Sequence, residues 1–372
     1  MPRFQGFLRQ FDWLLLLSVV ALVALGMAAI YSVALSQESA DFIFVKKQFI
    51  ALGLGLLIFG VFTFSNYRFL GSYSTVLYII GIVLLIAVLI WGTTVRGTTG
   101  WFQMFGFSFQ PVEIVKVFMI VVMAKYFSER ARKRIGLREI FESGALATLP
   151  MILVLLQPDL GSALVLFAIW AVALVISGVR KSHLLMLGVG FIAVFILFWT
   201  LLFADYQKAR LLSFVDPSLD PLGQGYNVTQ AIIAVGSGEI FGRGLGFGSQ
   251  SQLKFLPEAQ TDFIFAVIAE ELGFLGIILV LAAFTLLFAR ILRLSRIAHD
   301  NFTCYLLIGI GSVFFFQFLV NIGMNLGLMP VTGIALPFVS YGGSSLLIAL
   351  LLLGVVESIT LRTSNVRSRH NL

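Results

Sequence analysis

SQLKFLPEAQTDFIFAVIAEELGFLG, residues 251–276, decides how the rest of the chain is read. A polar loop runs here into an apolar helix and carries carboxylates with it. Thr261 is a good N-cap residue, so Asp262 is predicted in the first helical turn, with Glu270 and Glu271 about two turns further on. A carboxylate on a helix entering hydrocarbon costs roughly 2.5–3.5 kcal/mol on insertion scales, and it therefore faces a partner or a wet cavity. The plain alternative for Asp262 is a first-turn acid favoured by the helix dipole.

Composition extends that reading outward. The 372 residues are 59% hydrophobic and 12% charged, and the mean hydropathy is +1.01, more apolar surface than a soluble core absorbs. Apolar runs recur over residues 13–35, 49–64, 73–91, 112–124, 145–156, 162–176, 184–203, 274–292 and 306–326, with a last one ending at Ile359. The expected fold is an all-α polytopic membrane protein of about ten spans, one integral domain over residues 1–372. The formal charge of +7 does not mark a nucleic-acid binder, because Lys and Arg gather at the ends of the apolar runs, as in the cluster Lys125, Arg130, Arg132, Lys133, Arg134 and Arg138. With both termini cytoplasmic these clusters fall on one side, and residues 204–261 form a large extracytoplasmic loop between spans seven and eight. Lys46 and Lys47 are the exception. The single cysteine, Cys304, excludes an internal disulfide framework, and the three histidines, His183, His299 and His370, show no metal-ligand spacing.

Polar residues inside apolar runs are the next signal. Glu113 and Lys116 lie three apart on one helix face, and Gln157-Pro158-Asp159-Leu160-Gly161 joins two spans as a tight turn or a broken helix lining a cavity. Asp159 thus joins Glu113 and Lys116 in a candidate network. Asn321 and Asn325, four apart on one helix, read as a polar stripe near its outer end, more often an interhelical hydrogen bond than a ligand contact. Residues 228–235 are amphipathic, and the glycines between 236 and 248 either turn tightly or let a basic loop approach a ligand, with Arg210, Arg243 and Lys254 as available cations. No dinucleotide fingerprint or P-loop is present.

Five separated stretches then agree: Phe109-Gln110-Pro111-Val112-Glu113 with Lys116, Gln157-Pro158-Asp159-Leu160-Gly161, Leu256-Pro257-Glu258 leading to Thr261-Asp262-Phe263-Ile264-Phe265, Glu270-Glu271-Leu272-Gly273, and Pro337-Phe338-Val339-Ser340-Tyr341-Gly342-Gly343-Ser344-Ser345. Together they resemble the SEDS family of shape, elongation, division and sporulation proteins over nearly the whole chain, and the approach at residues 252–258 is more similar to its elongation members. Three positions depart from the family pattern: Gly100 where Arg is frequent, with Arg96 nearby to supply the charge, Gln260 where His commonly precedes Thr-Asp, and Ala335 where Pro is frequent.

The resemblance implies a peptidoglycan glycosyltransferase of the bacterial cytoplasmic membrane that polymerises lipid II beside a class B penicillin-binding protein in the elongation machinery. It implies Asp262 as general base, Arg210, Arg243, Lys254, Arg96, Ser340 and Ser344 near the diphosphate or sugar, and Glu113, Lys116, Asp159, Glu258 and Glu271 as a supporting polar network. No cofactor is evident, although carboxylates and a diphosphate together could hold a divalent cation. Two rival readings use the same residues, a lipid II flippase and a non-catalytic scaffold for the crosslinking enzyme.

Overall fold

The structure, a computed structural model, describes residues 11–36, 42–95, 97–104, 107–131, 135–201, 208, 214 and 223–370. Arg96, Arg210, the basic residues 132–134 and the Asp-Pro turns at 216–217 and 220–221 lie outside the described residues. Helix α1, Trp13–Leu35, starts where the Asp12 carboxylate accepts from the Leu15 amide at 3.1 Å, and α2 follows over Ile43–Phe64. A single turn, α3 (Arg68–Ser72), leads to α4, Ser74–Trp91.

Between α4 and the next helix the described residues within 93–109 form a small three-stranded antiparallel meander inside an otherwise helical architecture. Its strands are β1 (Thr93–Val95), β2 (Thr98–Met104) and β3 (Phe107–Phe109), with Thr93 opposite Trp101 and Gln103 opposite Ser108. The physical reason is composition: Thr, Val, Trp and Phe dominate these short segments, and β-branched and aromatic side chains suit a pleated surface. Pro111 ends the sheet and opens α5, Pro111–Arg130, where its missing N–H costs nothing.

Helices α6 (Leu137–Leu155), α7 (Leu160–Ile176) and α8 (Lys181–Leu201) follow. Asp159 caps α7 by accepting from the Ser162 amide at 2.9 Å, so the 157–161 segment is a capped joint between two helices. The amphipathic stretch lies on α9, Gln224–Ser237, which packs against α11, Ile264–Arg296; the one-turn α10, Ser249–Gln252, lies between them in sequence. Helices α12 (Asn301–Asn325) and α13 (Gly343–His370) complete the described elements. Among the described residues six helices are long and apolar enough to cross a membrane: α1, α2, α4, α11, α12 and the part of α13 up to Thr363. This is a multi-pass membrane protein. Within the bundle α5 is buried along most of its length between α4, α7 and α12, while α2 packs extensively on α13.

Helix α11 is kinked and broken at Gly273, whose φ of 64° and ψ of −158° no helical residue adopts. The break frees carbonyls at Glu270 and Glu271, which accept from the amides of Arg243 at 3.0 Å and Gly244 at 2.9 Å. In return the Phe274 and Leu275 amides donate to the carbonyls of Glu239 and Ile240. Gly242, at φ +77°, lies so close to the Glu271 carbonyl that a β-carbon there would overlap it. Gly238 and Gly242 therefore serve the approach of one backbone to another. At the opposite end of the bundle the Arg290 guanidinium donates to Asp12 at 2.8 Å, and the Asp12 amide donates to Glu357 at 2.8 Å, tying α1, α11 and α13 together.

Candidate active site

Asp262 precedes the first residue of α11 by two positions and stands in a turn, so Thr261 is not the helix cap expected from its type. Instead the Thr261 hydroxyl donates to the Glu258 carboxylate at 3.1 Å and folds the 258–262 turn on itself. The next link is unusual: three successive carbonyls of this turn are each held from outside it. The Gln260 carbonyl accepts from the Tyr341 amide at 2.8 Å, the Thr261 carbonyl from the Ser340 hydroxyl at 2.7 Å. The Asp262 carbonyl accepts from two side-chain amides, Asn321 at 3.1 Å and Asn325 at 3.0 Å. Both asparagines are fully buried, and the second also accepts from the Ala266 amide in the first turn of α11, one of the donors that a helix start leaves without an internal partner. The main chain of Asp262 is thus fixed from α12 while its side chain lines a cavity.

That cavity, about 520 Å³ in volume, is lined by Asp262, Glu258, Glu113, Lys116, Asp159 and Ser344 among the residues singled out in the sequence. Glu113 and Lys116 form a buried ion pair at 2.8 Å, as their spacing on α5 predicts. Asp159 divides its oxygens between the Ser162 amide and the Gln110 side-chain amide, the latter at 3.1 Å. Ser344 accepts from the Gln110 amide and donates to the Ser108 carbonyl, pinning the start of α13 to the junction of β3 and α5. The sheet thereby becomes one wall of the site, with Trp101 and Ser108 facing the cavity.

Four expected residues stand elsewhere. Ser340 does not line the cavity but carries the Asp262 turn, accepting from the Leu336 amide at 2.9 Å while it donates to Thr261. Glu271 is buried behind the turn, where the Ser32, Ser251 and Gln252 side chains donate to it. Arg243 and Lys254 are not among the lining residues, because their loop is spent on the α11 break and on Glu270, whose carboxylate accepts from the amides of Gln250 and Ser251. Arg96 and Arg210 lie outside the described residues.

Conversely, the cavity has residues that the sequence reading does not assign to a site. Lys47, Gln110, Gln317, Thr332 and Tyr341 all line it. The available signal for Lys47 is its position: it is a basic residue that breaks the charge asymmetry of the loops. Among the described residues no group of three His, Cys, Asp or Glu side chains comes together as a metal site.

Comparison with known proteins shows the family of the chain. Residues 12–365 match the FtsW, RodA and SpoVE family, described as cell cycle proteins. The chain is 36% identical to the probable peptidoglycan glycosyltransferase FtsW of Trichlorobacter lovleyi over 364 residues, covering 95% of this chain and 94% of that one. It is likewise 36% identical to the peptidoglycan glycosyltransferase MrdB of Escherichia coli K12 over 353 residues, 94% of this chain and 93% of the relative. Among solved structures, a chain from work on the structural coordination of polymerization and crosslinking by a peptidoglycan synthase complex superposes with a TM-score of 0.79 at 34% identity, covering 95% of this chain and 98% of that one.

Proposed function

The chain belongs to the FtsW, RodA and SpoVE family of cell cycle proteins and is a peptidoglycan glycosyltransferase, and we propose that it polymerises lipid II with Asp262 as the general base. The observation that carries this reading is the division at Asp262 between a carbonyl bound twice by buried asparagines and a half-buried carboxylate on a cavity wall. A base held by its own backbone is ordered before substrate arrives, and such pre-organisation is where positional catalysis gains its rate.

The step balances simply. The acceptor 4-hydroxyl oxygen attacks the anomeric carbon of the donor as its proton passes to the Asp262 carboxylate. The bond from that carbon to the diphosphate oxygen breaks, and its electron pair leaves with the lipid-linked diphosphate, inverting the centre. Glu113 and Lys116 neutralise one another beside this step, and their buried pair keeps one wall of the cavity polar without adding net charge. Asp159, Glu258 and Ser344 shape the remaining walls.

Helices α5 to α8, which are not among the six, complete a ten-span arrangement in this reading, with the Asp262 end of the bundle facing outward from the bacterial cytoplasmic membrane. Long-lipid substrate reaches the cavity from the bilayer, and the product strand leaves on the outer side. The partner is a class B penicillin-binding protein within the elongation machinery, an assignment supported by the likeness to a chain of a synthase that couples polymerization to crosslinking and by the motif at residues 252–258.

The test is polymerisation of lipid II by purified protein in detergent, where no gradient exists and translocation leaves no product. Asp262→Asn keeps shape and folding and is expected to lose polymer formation by about two orders of magnitude or more, the usual weight of a general base. Native-rate polymer from that variant removes Asp262 from the mechanism.

A further inference from the structure

The diphosphate of the donor has to be received by positive charge, and the cavity is poor in it. Its described lining residues include four carboxylates, Asp262, Glu258, Asp159 and Glu113, against two cations, Lys47 and Lys116. Lys116 is committed to Glu113 at 2.8 Å and is almost fully enclosed. Lys47 is half-buried and has no ion pair or hydrogen bond among the described residues. Among the described residues this ammonium on the wall of an acidic cavity is a charge without a partner.

Its placement is built. Lys47 lies near the start of α2, and its neighbour Gln48 is buried and clamps the loop ahead of α13, donating to the Ser340 carbonyl at 3.3 Å and accepting from the Gly342 amide at 3.2 Å. Phe44, one turn before Lys47 and also on the cavity wall, meets the Tyr341 ring edge-on with centroids 5.0 Å apart. Ser340 and Tyr341 are the residues that hold the Thr261 and Gln260 carbonyls, so one set of bonds fixes Lys47 and the Asp262 turn relative to each other. The cation and the base are two fixed points of the same wall.

We infer that Lys47 is the residue that binds the donor diphosphate and steadies its negative charge as the bond to the sugar breaks. The inference deepens the glycosyltransferase reading and rests on it. It also explains why a basic residue stands near the start of α2 where the pattern of loop charges would place none: the ammonium serves the substrate and not topology. A compact ammonium suits this role as a point charge that several phosphate oxygens can share.

The test measures binding of a product without turnover. Affinities of the purified full chain for undecaprenyl diphosphate and for undecaprenyl phosphate are compared in native protein, Lys47→Gln and Lys47→Arg. Lys47→Gln is expected to weaken diphosphate binding about tenfold or more, the weight of one charge-assisted hydrogen bond, and monophosphate binding by clearly less. Lys47→Arg is expected to stay within about threefold of native, since the charge remains. Equal loss for both lipids, or diphosphate affinity in Lys47→Gln within about threefold of native, overturns the assignment, the first by revealing a packing role. Failure to fold in Lys47→Gln leaves Lys47→Arg to decide: a tenfold loss there refutes a role carried by charge. Because no sugar is transferred in this assay, its outcome is independent of whether Asp262→Asn still polymerises lipid II.

Discussion

Replacing Asn325 by alanine removes no group that touches substrate, yet the bonding around it makes this the sharpest perturbation of the site. Asn325 accepts from the Ala266 amide at 3.1 Å and donates to the Asp262 carbonyl at 3.0 Å and the Asn321 carbonyl at 2.8 Å. Each bond contributes about 0.5–1.5 kcal/mol net, and the Ala266 amide, fully buried at the head of α11, is left without a partner at about 1–3 kcal/mol. Part of the loss overlaps, so Asn325→Ala is expected to cost about 2–4 kcal/mol in stability. The Asp262 carbonyl keeps the Asn321 donor at 3.1 Å, which holds the turn in place but loosely. Since displacement of a catalytic group by about 1 Å costs on the order of 100-fold, a half-released anchor is expected to lower kcat by about tenfold with little change in KM. The assay is lipid II polymerisation by purified protein, run below the melting transition of each variant. Ser358→Ala is the control: Ser358 is equally buried and donates to the Ser65 carbonyl at 2.7 Å, far along α13 from the cavity. It is expected to lose stability and keep kcat within about twofold. If Asn325→Ala keeps native kcat, or Ser358→Ala loses as much, the asparagines do not position the base.

Two other substitutions test the surroundings. Glu113→Ala or Lys116→Ala strands a buried charge and is expected to cost about 3–5 kcal/mol, whereas Glu113→Met with Lys116→Met restores much of that stability, a non-additivity that a double-mutant cycle in thermal melts reads directly. Gly242→Ala pushes a β-carbon into the Glu271 carbonyl at a φ of +77° and is expected to lower stability by about 2 kcal/mol or more, measured by thermal melting; a neutral result would mean that the clasp on the α11 break is not tightly closed.

Legibility followed the strength of each local signal. The long spans are plain in the sequence because a run of about 20 apolar residues has little use except to cross a bilayer. Glu113 and Lys116 pair as their helical spacing requires, and Asn321 and Asn325 do hydrogen-bond outside their own helix, but nothing in the two residue types says that both point at the carbonyl of Asp262. The meander at 93–109 reads as a loop in the sequence, since strands of three and seven residues carry too little pattern to announce themselves. The glycines of 236–248 are legible as close-approach residues but not as to what they approach, because a backbone partner leaves the same trace as a ligand. Arg243 and Lys254 look available by charge alone, and their loop is held on α11 and Glu270. Lys47 is discounted by the rule that finds the topology, and an exception to such a rule has no address until the helices are packed.

The position of Gln48 turns these separate contacts into one mechanical unit. It joins α2 to the loop ahead of α13, which in turn holds the carbonyls of Gln260 and Thr261, while α12 holds that of Asp262. Helices α2 and α13 are already packed along much of their length, so the wall that carries Lys47 cannot slide past the turn that carries Asp262 without breaking bonds at both. The loop of residues 239–252, by contrast, reaches α11 only at its break, below the turn. The distance between Asp262 and Lys47 is therefore set by the bundle, and a change in the outer loops would act on access to the cavity before it acted on that distance.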